Sequence, residues 1–228
     1  MSADFFQWKI YAKRVLYLLI SVFSLFVFSY AIVVANAQAL TIGKTFYFLV
    51  SSSTHVEAST HTAQWQGGAG YLLTSGKREY VVYAVYFSEN AGNAVQTVLV
   101  GGGENVRLLE RRAETLYLKT RREKSRANFY GNAFRSLYGI MQVLYGEIAR
   151  LEEGATQTSS KQIVKSLSRQ IDHLSRQYTS YSAYAKLCRQ AGTRLSKISE
   201  DAVYAKDLRY ELCFLADGYL NLASAFSL

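Results

Sequence analysis

Side chains that commonly carry out chemistry are few in this chain of 228 residues, and their spacing joins them into no recognisable site. The three histidines are His55, His61 and His173. His55 and His61 are six positions apart, about 240° around a helix, so their imidazoles would point away from each other. His173 has Asp172 beside it, but no spacing typical of a zinc site occurs. We therefore predict no metal site.

The acidic pairs and the glycine-rich segment have structural explanations. Glu152-Glu153 and Glu200-Asp201 fall where helices are predicted to end and begin, and acidic side chains stabilise a helix start. Gly101-Gly102-Gly103 lacks the Lys-Ser/Thr partner of a phosphate-binding loop. Nothing resembles a Ser-His-Asp set. The chain is therefore predicted not to be an enzyme and to use no cofactor.

The two cysteines, Cys188 and Cys213, each lie 12 residues from a turn predicted near Glu200-Asp201. In an antiparallel helix hairpin, residues equidistant from the turn lie at the same height. A disulfide between them would stabilise the fold by about 3–4 kcal/mol in the chain-entropy model. The alternative is a pair of buried free thiols.

The N-terminal region carries the strongest membrane signal. Val15–Ala35 is almost entirely apolar, and no charge occurs from residue 15 to residue 43. Lys9, Lys13 and Arg14 precede this segment. About 20 apolar residues in a helix cross a bilayer, and basic flanks stay in the cytoplasm. We predict a single-pass protein of the cell membrane whose N-terminus is cytoplasmic and whose bulk, residues 44–228, lies outside.

A cleaved signal peptide is the rival interpretation of the same segment. Ala35-Asn36-Ala37 fits the small-x-small cleavage pattern, which would give a mature chain that begins at Gln38. Under both interpretations the rest of the chain is exported. The predicted domains are a cytoplasmic tail at 1–14, a transmembrane helix at 15–37, an α+β domain at 44–111 and a helical domain at 112–228.

The chain is basic, with a formal net charge of +9 and an isoelectric point near 9.5. For an exported protein this charge favours solubility or attraction to an anionic envelope surface, and not binding to nucleic acid. The basic run Arg107–Arg126 fits either a solvated helix face or a patch for anionic lipid or wall polymer.

Residues 44–111 alternate strand-like and helix-like patterns. Phe46–Val50 and Tyr80–Phe87 are runs rich in aromatic and β-branched residues, which is typical of strands. Shorter patterns complete the order β-α-β-β-α-β. A first helix is predicted from the capping box Thr54–Glu57, and strands are predicted at Tyr71–Leu73 and Val106–Arg111. A second helix is predicted with Asn90 as its cap, because apolar residues follow at helical spacing: Ala91, Ala94, Val95, Val98 and Leu99. This order predicts a ferredoxin-like four-stranded antiparallel sheet with both helices on one face.

Residues 112–228 have helical periodicity throughout. A first helix carries an apolar seam from Ala127 to Ile148, and Glu153–Thr156 interrupts the pattern. A second helix is predicted from Ile163 to Leu195 and a third from Leu208 to Phe226. The prediction is a three-helix antiparallel unit, which could also support a homo-oligomer.

The α+β region resembles the SPOR (sporulation-related repeat) domain, a small bacterial module that binds peptidoglycan. Phe46–Ser53 is similar to the opening strand of that family, and Tyr80–Phe87, followed by Ala91 and Ala94, is similar to its third strand and second helix. Gly67–Tyr71 falls where the family enters its second strand. The resemblance covers residues 44–111 and implies a SPOR-like fold in an envelope protein of cell division or sporulation.

The resemblance also implies a binding face on the sheet. The residues expected on that face are Tyr47, Leu49 and Ser51 from the first strand and Val81, Tyr83 and Val85 from the third. The implied partner is the glycan strand of peptidoglycan, or another envelope protein.

The same face departs from the family at three positions. Leu49 stands where the family has Gln, and Val81 and Tyr83 stand at its two Arg positions. A strand that is apolar on both faces is typical of a sheet covered on both sides. Two functions therefore stay open: a non-enzymatic, peptidoglycan-associated or scaffolding factor, or a protein-interaction and oligomerisation module whose packed sheet binds no glycan.

Overall fold

The computed structural model describes residues 38–40, 43–52, 56–113, 116–118 and 121–225. The chain divides into two compact units, one of residues 1–40 and 117–128 and the other of residues 41–116 and 129–228. A two-stranded sheet pairs β1 (Gln38–Leu40) with β6 (Leu116–Leu118). All sites discussed below belong to the second unit.

A four-stranded antiparallel sheet forms the centre of the second unit. Its strands are β2 (Thr45–Ser51), β3 (Tyr71–Ser75), β4 (Arg78–Tyr86) and β5 (Val106–Arg112), in the spatial order β3-β4-β2-β5. The two most apolar strands, β2 and β4, are the central ones, as expected for strands that must be buried on both faces. Gly76, with φ of +63°, forms the tight turn between β3 and β4.

A β-bulge interrupts the pairing of β2 with β4. Leu49 pairs with Ala84, but the next residue, Val50, pairs with Val82. Tyr83 is therefore the extra residue of β4, and the alternation of side chains between the two faces shifts there by one position.

Two helices lie on one face of the sheet, α1 (Val56–Trp65) and α2 (Glu89–Gly101). Ala63 of α1 belongs to the same buried cluster as Leu49 and Val81. Gly92 lets α2 approach the sheet closely, since a Cβ atom there would lie 2.8 Å from Leu108 Cδ2. The two helices therefore cover the face of the sheet that carries Leu49.

The remaining helices are α3 (Arg121–Glu152), α4 (Gln157–Gln177), α5 (Ser182–Glu200) and α6 (Ala205–Ser224). Of these, α4 and α5 pack on each other as a hairpin, with α5 against α6, and α3 and α6 lie on the opposite face of the sheet. Phe46 of β2 is fully buried there between Tyr138 of α3 and Tyr219 of α6, with ring centroids 6.2 and 5.5 Å away. The sheet is thus the middle layer between two sets of helices.

The structure corrects the predicted fold class. The described residues are α+β, with six helices and a four-stranded sheet, but the sheet does not form a separate ferredoxin-like domain because α6 packs directly on β3 and β4. The predicted three-helix unit is wrong, since four helices follow the sheet. The predicted second helix is divided at Tyr178–Tyr181 into α4 and α5, which pack as a hairpin.

The predicted location is corrected as well. The segment Val15–Ala35 and the capping box at Thr54 lie outside the described residues. Within the described ranges, no helix is both long enough and apolar enough to cross a membrane. The structure therefore does not support the single-pass membrane anchor on which the predicted location depended.

Candidate interaction surfaces

Five of the six residues predicted to form a binding face do share one face of the sheet. Leu49, Val81 and Tyr83 belong to one buried cluster, and Tyr47 packs against it. Ser51 faces the same way, with its hydroxyl donating a hydrogen bond of 3.4 Å to the hydroxyl of Ser59 in α1. The sequence thus brings these residues together as predicted, but on the face that α1 and α2 cover.

The sixth residue, Val85, lies on the opposite face. It pairs with Phe48, whereas Leu49 pairs with Ala84, so the bulge at Tyr83 places Val81 and Val85 on different sides. Strict alternation along β4 predicts that Val81, Tyr83 and Val85 share a face, and a bulge of this kind has no clear signal in the sequence.

The predicted face is closed to solvent at its centre. The exposed fractions of Leu49, Val81 and Tyr83 are 0, 2 and 5 %. Burial, and after it the nearby Glu104 carboxylate, raises the pKa of the Tyr83 hydroxyl. Of the two tyrosines predicted on this face, Tyr47 is partly exposed and Tyr83 is buried. Glycan binding by this face stays a prediction, and the geometry gives it no open surface.

The opposite face is closed by polar as well as aromatic contacts. Asp217 of α6 accepts a hydrogen bond of 2.9 Å from the Tyr71 hydroxyl of β3. The other oxygen of the same carboxylate forms an ion pair of 3.1 Å with Arg111 of β5. Because β3 and β5 are the two edge strands, this one carboxylate fixes α6 across the whole width of the sheet.

Cys188 and Cys213 are free thiols in the structure, and both are fully buried. Cys188 forms a hydrogen bond with the side chain of Tyr184, and burial raises its pKa to about 12. Cys213 lies among Arg209, Asp217 and Glu211, and burial raises its pKa as well. In the structure the two cysteines are therefore buried free thiols, as in the alternative interpretation, and no disulfide joins them.

A surface that the sequence pattern missed lies on α2. The apolar spacing along this helix predicts a core-facing stripe that includes Val95 and Val98, but those side chains are 37 and 73 % exposed. Gly92 is the buried position of the helix instead. The absence of charge could have identified this surface from the sequence, because no charged residue occurs between Glu89 and Glu104.

The helix α2 is firmly placed in spite of its exposure. Ser88, and not the predicted Asn90, caps it, with the Ser88 hydroxyl accepting a hydrogen bond of 3.3 Å from the backbone N–H of Ala91. The outward side presents small and apolar residues at helical spacing, Ala94, Val95, Val98 and Gly101, which we call the α2 stripe. An added Cβ at Gly101 would meet no atom within 4 Å.

The described residues contain no group of three or more His, Cys, Asp or Glu side chains placed to hold a metal ion. Comparisons with protein-family models, with curated proteins and with solved structures return no match for this chain. Its function is therefore argued from its own surfaces.

Proposed function

We propose that this chain is a protein-interaction module that pairs with a second copy of itself through the α2 stripe. The observation that carries the proposal is the combination of a sheet covered on both faces with an outer helix that exposes uncharged, apolar side chains. A covered sheet leaves recognition to the outer surfaces of its helices, to its turns and to its edges.

The composition of α2 is unusual for a solvent-facing helix. An amphipathic surface helix ordinarily carries charged residues on its outer side. Here the 14 residues from Asn90 to Gly103 include none. Ala94 and Gly101 keep the stripe flat, so that the backbone of another helix can approach Val98 closely.

The balance of charge favours a second copy as the partner. Each chain carries a net charge of +9, so most surfaces of two copies repel each other. A two-fold contact places the same patch of each copy opposite itself. The uncharged α2 stripe is a surface on which such a contact brings no like charges together.

The size of the stripe predicts weak association. A helix of 13 residues is about 20 Å long. One helix face of that length buries on the order of 300 Å² per copy, well below the roughly 800 Å² per partner of a standard stable interface. We therefore expect a dimer that forms at micromolar or higher concentration and dissociates on dilution.

Sedimentation velocity of the purified full-length protein over a range of concentrations tests the proposal. Val98→Glu places a carboxylate in the centre of the stripe on each copy, and we expect it to leave only monomer. Val100→Glu is the matched control, because Val100 is 51 % exposed on the same helix but about 200° away from Val98.

A third variant separates this surface from the helical region, which the sequence analysis favoured for oligomerisation. Val143 of α3 is 52 % exposed beside a cleft between α3 and α4. Loss of the dimer in Val143→Glu but not in Val98→Glu would move the interface to the helices and refute the α2 proposal. A protein that is monomeric at every concentration would refute self-association altogether.

A further inference from the structure

A basic cleft lies at the end of the sheet where β3 turns into β4. Its volume is about 880 Å³. Three cations line it: Lys77 from the turn, Arg78 from the start of β4 and Arg107 from the edge strand β5. This cleft shares no residue with the α2 stripe, and it meets the face that carries Leu49 at Ser51 and Val56.

The three cations are not neutralised by the protein. Within the described part of the chain, none of Lys77, Arg78 and Arg107 forms an ion pair with a carboxylate. Glu79 is the single acidic residue among those that line the cleft, so the lining has a net charge of +2. Uncompensated cations that converge on a concave surface attract an anion of matching charge.

One of the cations is held in place. The guanidinium of Arg107 lies 5.3 Å from the centre of the Tyr80 ring, a cation–π contact that limits the motion of the side chain. A cation–π contact uses none of the N–H donors of the guanidinium as a hydrogen-bond donor to oxygen. The hydroxyls of Ser52 and Thr74, which also line the cleft, add further hydrogen-bond donors.

We infer that this cleft binds a phosphate group, either as free inorganic phosphate or as part of a small organic phosphate. A phosphate carries close to two negative charges at neutral pH and offers oxygens to two arginine side chains at once. A lone carboxylate carries one charge and would leave the lining positive. The charge of the cleft therefore favours phosphate over a simple carboxylate.

Titration of the purified full-length protein at constant ionic strength tests this inference. The probes are inorganic phosphate, phenyl phosphate and acetate, with binding followed by calorimetry. We expect both phosphates to bind at least tenfold more tightly than acetate. Tighter binding of phenyl phosphate than of inorganic phosphate would identify an organic phosphate as the ligand, and equal binding would identify the free ion.

Two variants locate the site. Arg107→Gln keeps a polar, hydrogen-bonding side chain but removes its charge, and we expect it to weaken phosphate binding at least tenfold. Arg189→Gln is the matched control, since Arg189 is an exposed arginine of α5 that does not line the cleft. Equal loss in both variants would mean a general effect of the net charge. That result, unchanged binding in Arg107→Gln, or binding of acetate as tight as phosphate would overturn the inference.

Discussion

The substitution Leu49→Ala distinguishes a sheet face that is core from a sheet face that is a binding surface. Leu49 is fully buried between the sheet and the helices α1 and α2. The substitution removes three carbon atoms, and at about 0.8 kcal/mol per buried methylene the transfer term is about 2.4 kcal/mol. The cavity that remains adds to this value, so the expected loss of unfolding free energy is about 3–4 kcal/mol.

Leu72→Ala is the matched control. Leu72 pairs with Val81 and so faces the same way as Leu49, but it lies on the edge strand β3 and is 48 % exposed. About half of its transfer term is lost, and no closed cavity forms at the edge. We expect a loss of about 1 kcal/mol.

Equilibrium unfolding in urea measures both values. With a slope of about 2 kcal/mol per molar urea, the midpoint should fall by about 1.5–2 M for Leu49→Ala and by about 0.5 M for Leu72→Ala. Midpoint shifts of equal, small size would mean that Leu49 is as accessible as Leu72. The assignment of this face to the core would then be refuted, and the predicted glycan or partner surface would be favoured.

Three further predictions concern the opposite face of the sheet, the reactivity of the thiols and the pH dependence of stability. Tyr71→Phe removes the hydrogen bond to Asp217 and should lower the unfolding free energy by about 1 kcal/mol; a change of less than about 0.3 kcal/mol would mean that α6 is not held there. Neither thiol should react with Ellman's reagent in the native protein at pH 8. Two thiols per chain should react in urea without reductant. No reaction in urea would demonstrate a disulfide. Because burial raises the pKa of Cys188 and of Cys213 in the folded state, the stability that they contribute is complete below about pH 8.5 and falls as the pH rises towards 12.

The strands of the sheet are predictable from the sequence because their signal is local. Phe46–Val50 and Tyr80–Phe87 differ by only one or two residues at each end from the observed β2 and β4. Long aromatic and β-branched runs have few alternatives to a buried strand, and the glycine of a two-residue turn marks where one strand returns along another. These runs also predict that both faces of the sheet are covered, because neither strand has a polar side.

The turn that divides α4 from α5 is not predictable in this way. Leu174, Tyr178, Tyr181 and Cys188 continue a helical spacing across it, and neither glycine nor proline marks the break. The turn exists because tertiary contacts stabilise it. Tyr178 contacts the ring of Tyr184 at a centroid distance of 5.3 Å, which joins the two sides of the turn. Aromatic packing of this kind overrides the local pattern, and a single sequence does not reveal it.

The covering of the predicted binding face has a geometric reason. The resemblance places Tyr47 and Leu49 on the sheet face that the two crossover helices leave open. The register of β2 with β4 and β5 instead turns Phe46 towards α3 and α6 and Leu49 towards α1 and α2. Periodicity assigns alternate residues of a strand to different faces, but it does not state which set of helices covers each face.

The charge of the edge strand β5 bears on the proposed self-association through α2. An edge strand with unpaired backbone groups is the usual route by which two sheets join. The edge strand β5 carries Arg107, Glu110, Arg111 and Arg112 within seven residues, and charges of this density protect an edge from pairing. In an antiparallel pair of two β5 strands that places Arg107 opposite Arg111 or Arg112, arginines of one copy meet arginines of the other, which is destabilising. Among the described residues, the charged β5 edge and the two covered sheet faces are poor contacts with a second copy, whereas the uncharged outer side of α2 brings no like charges together.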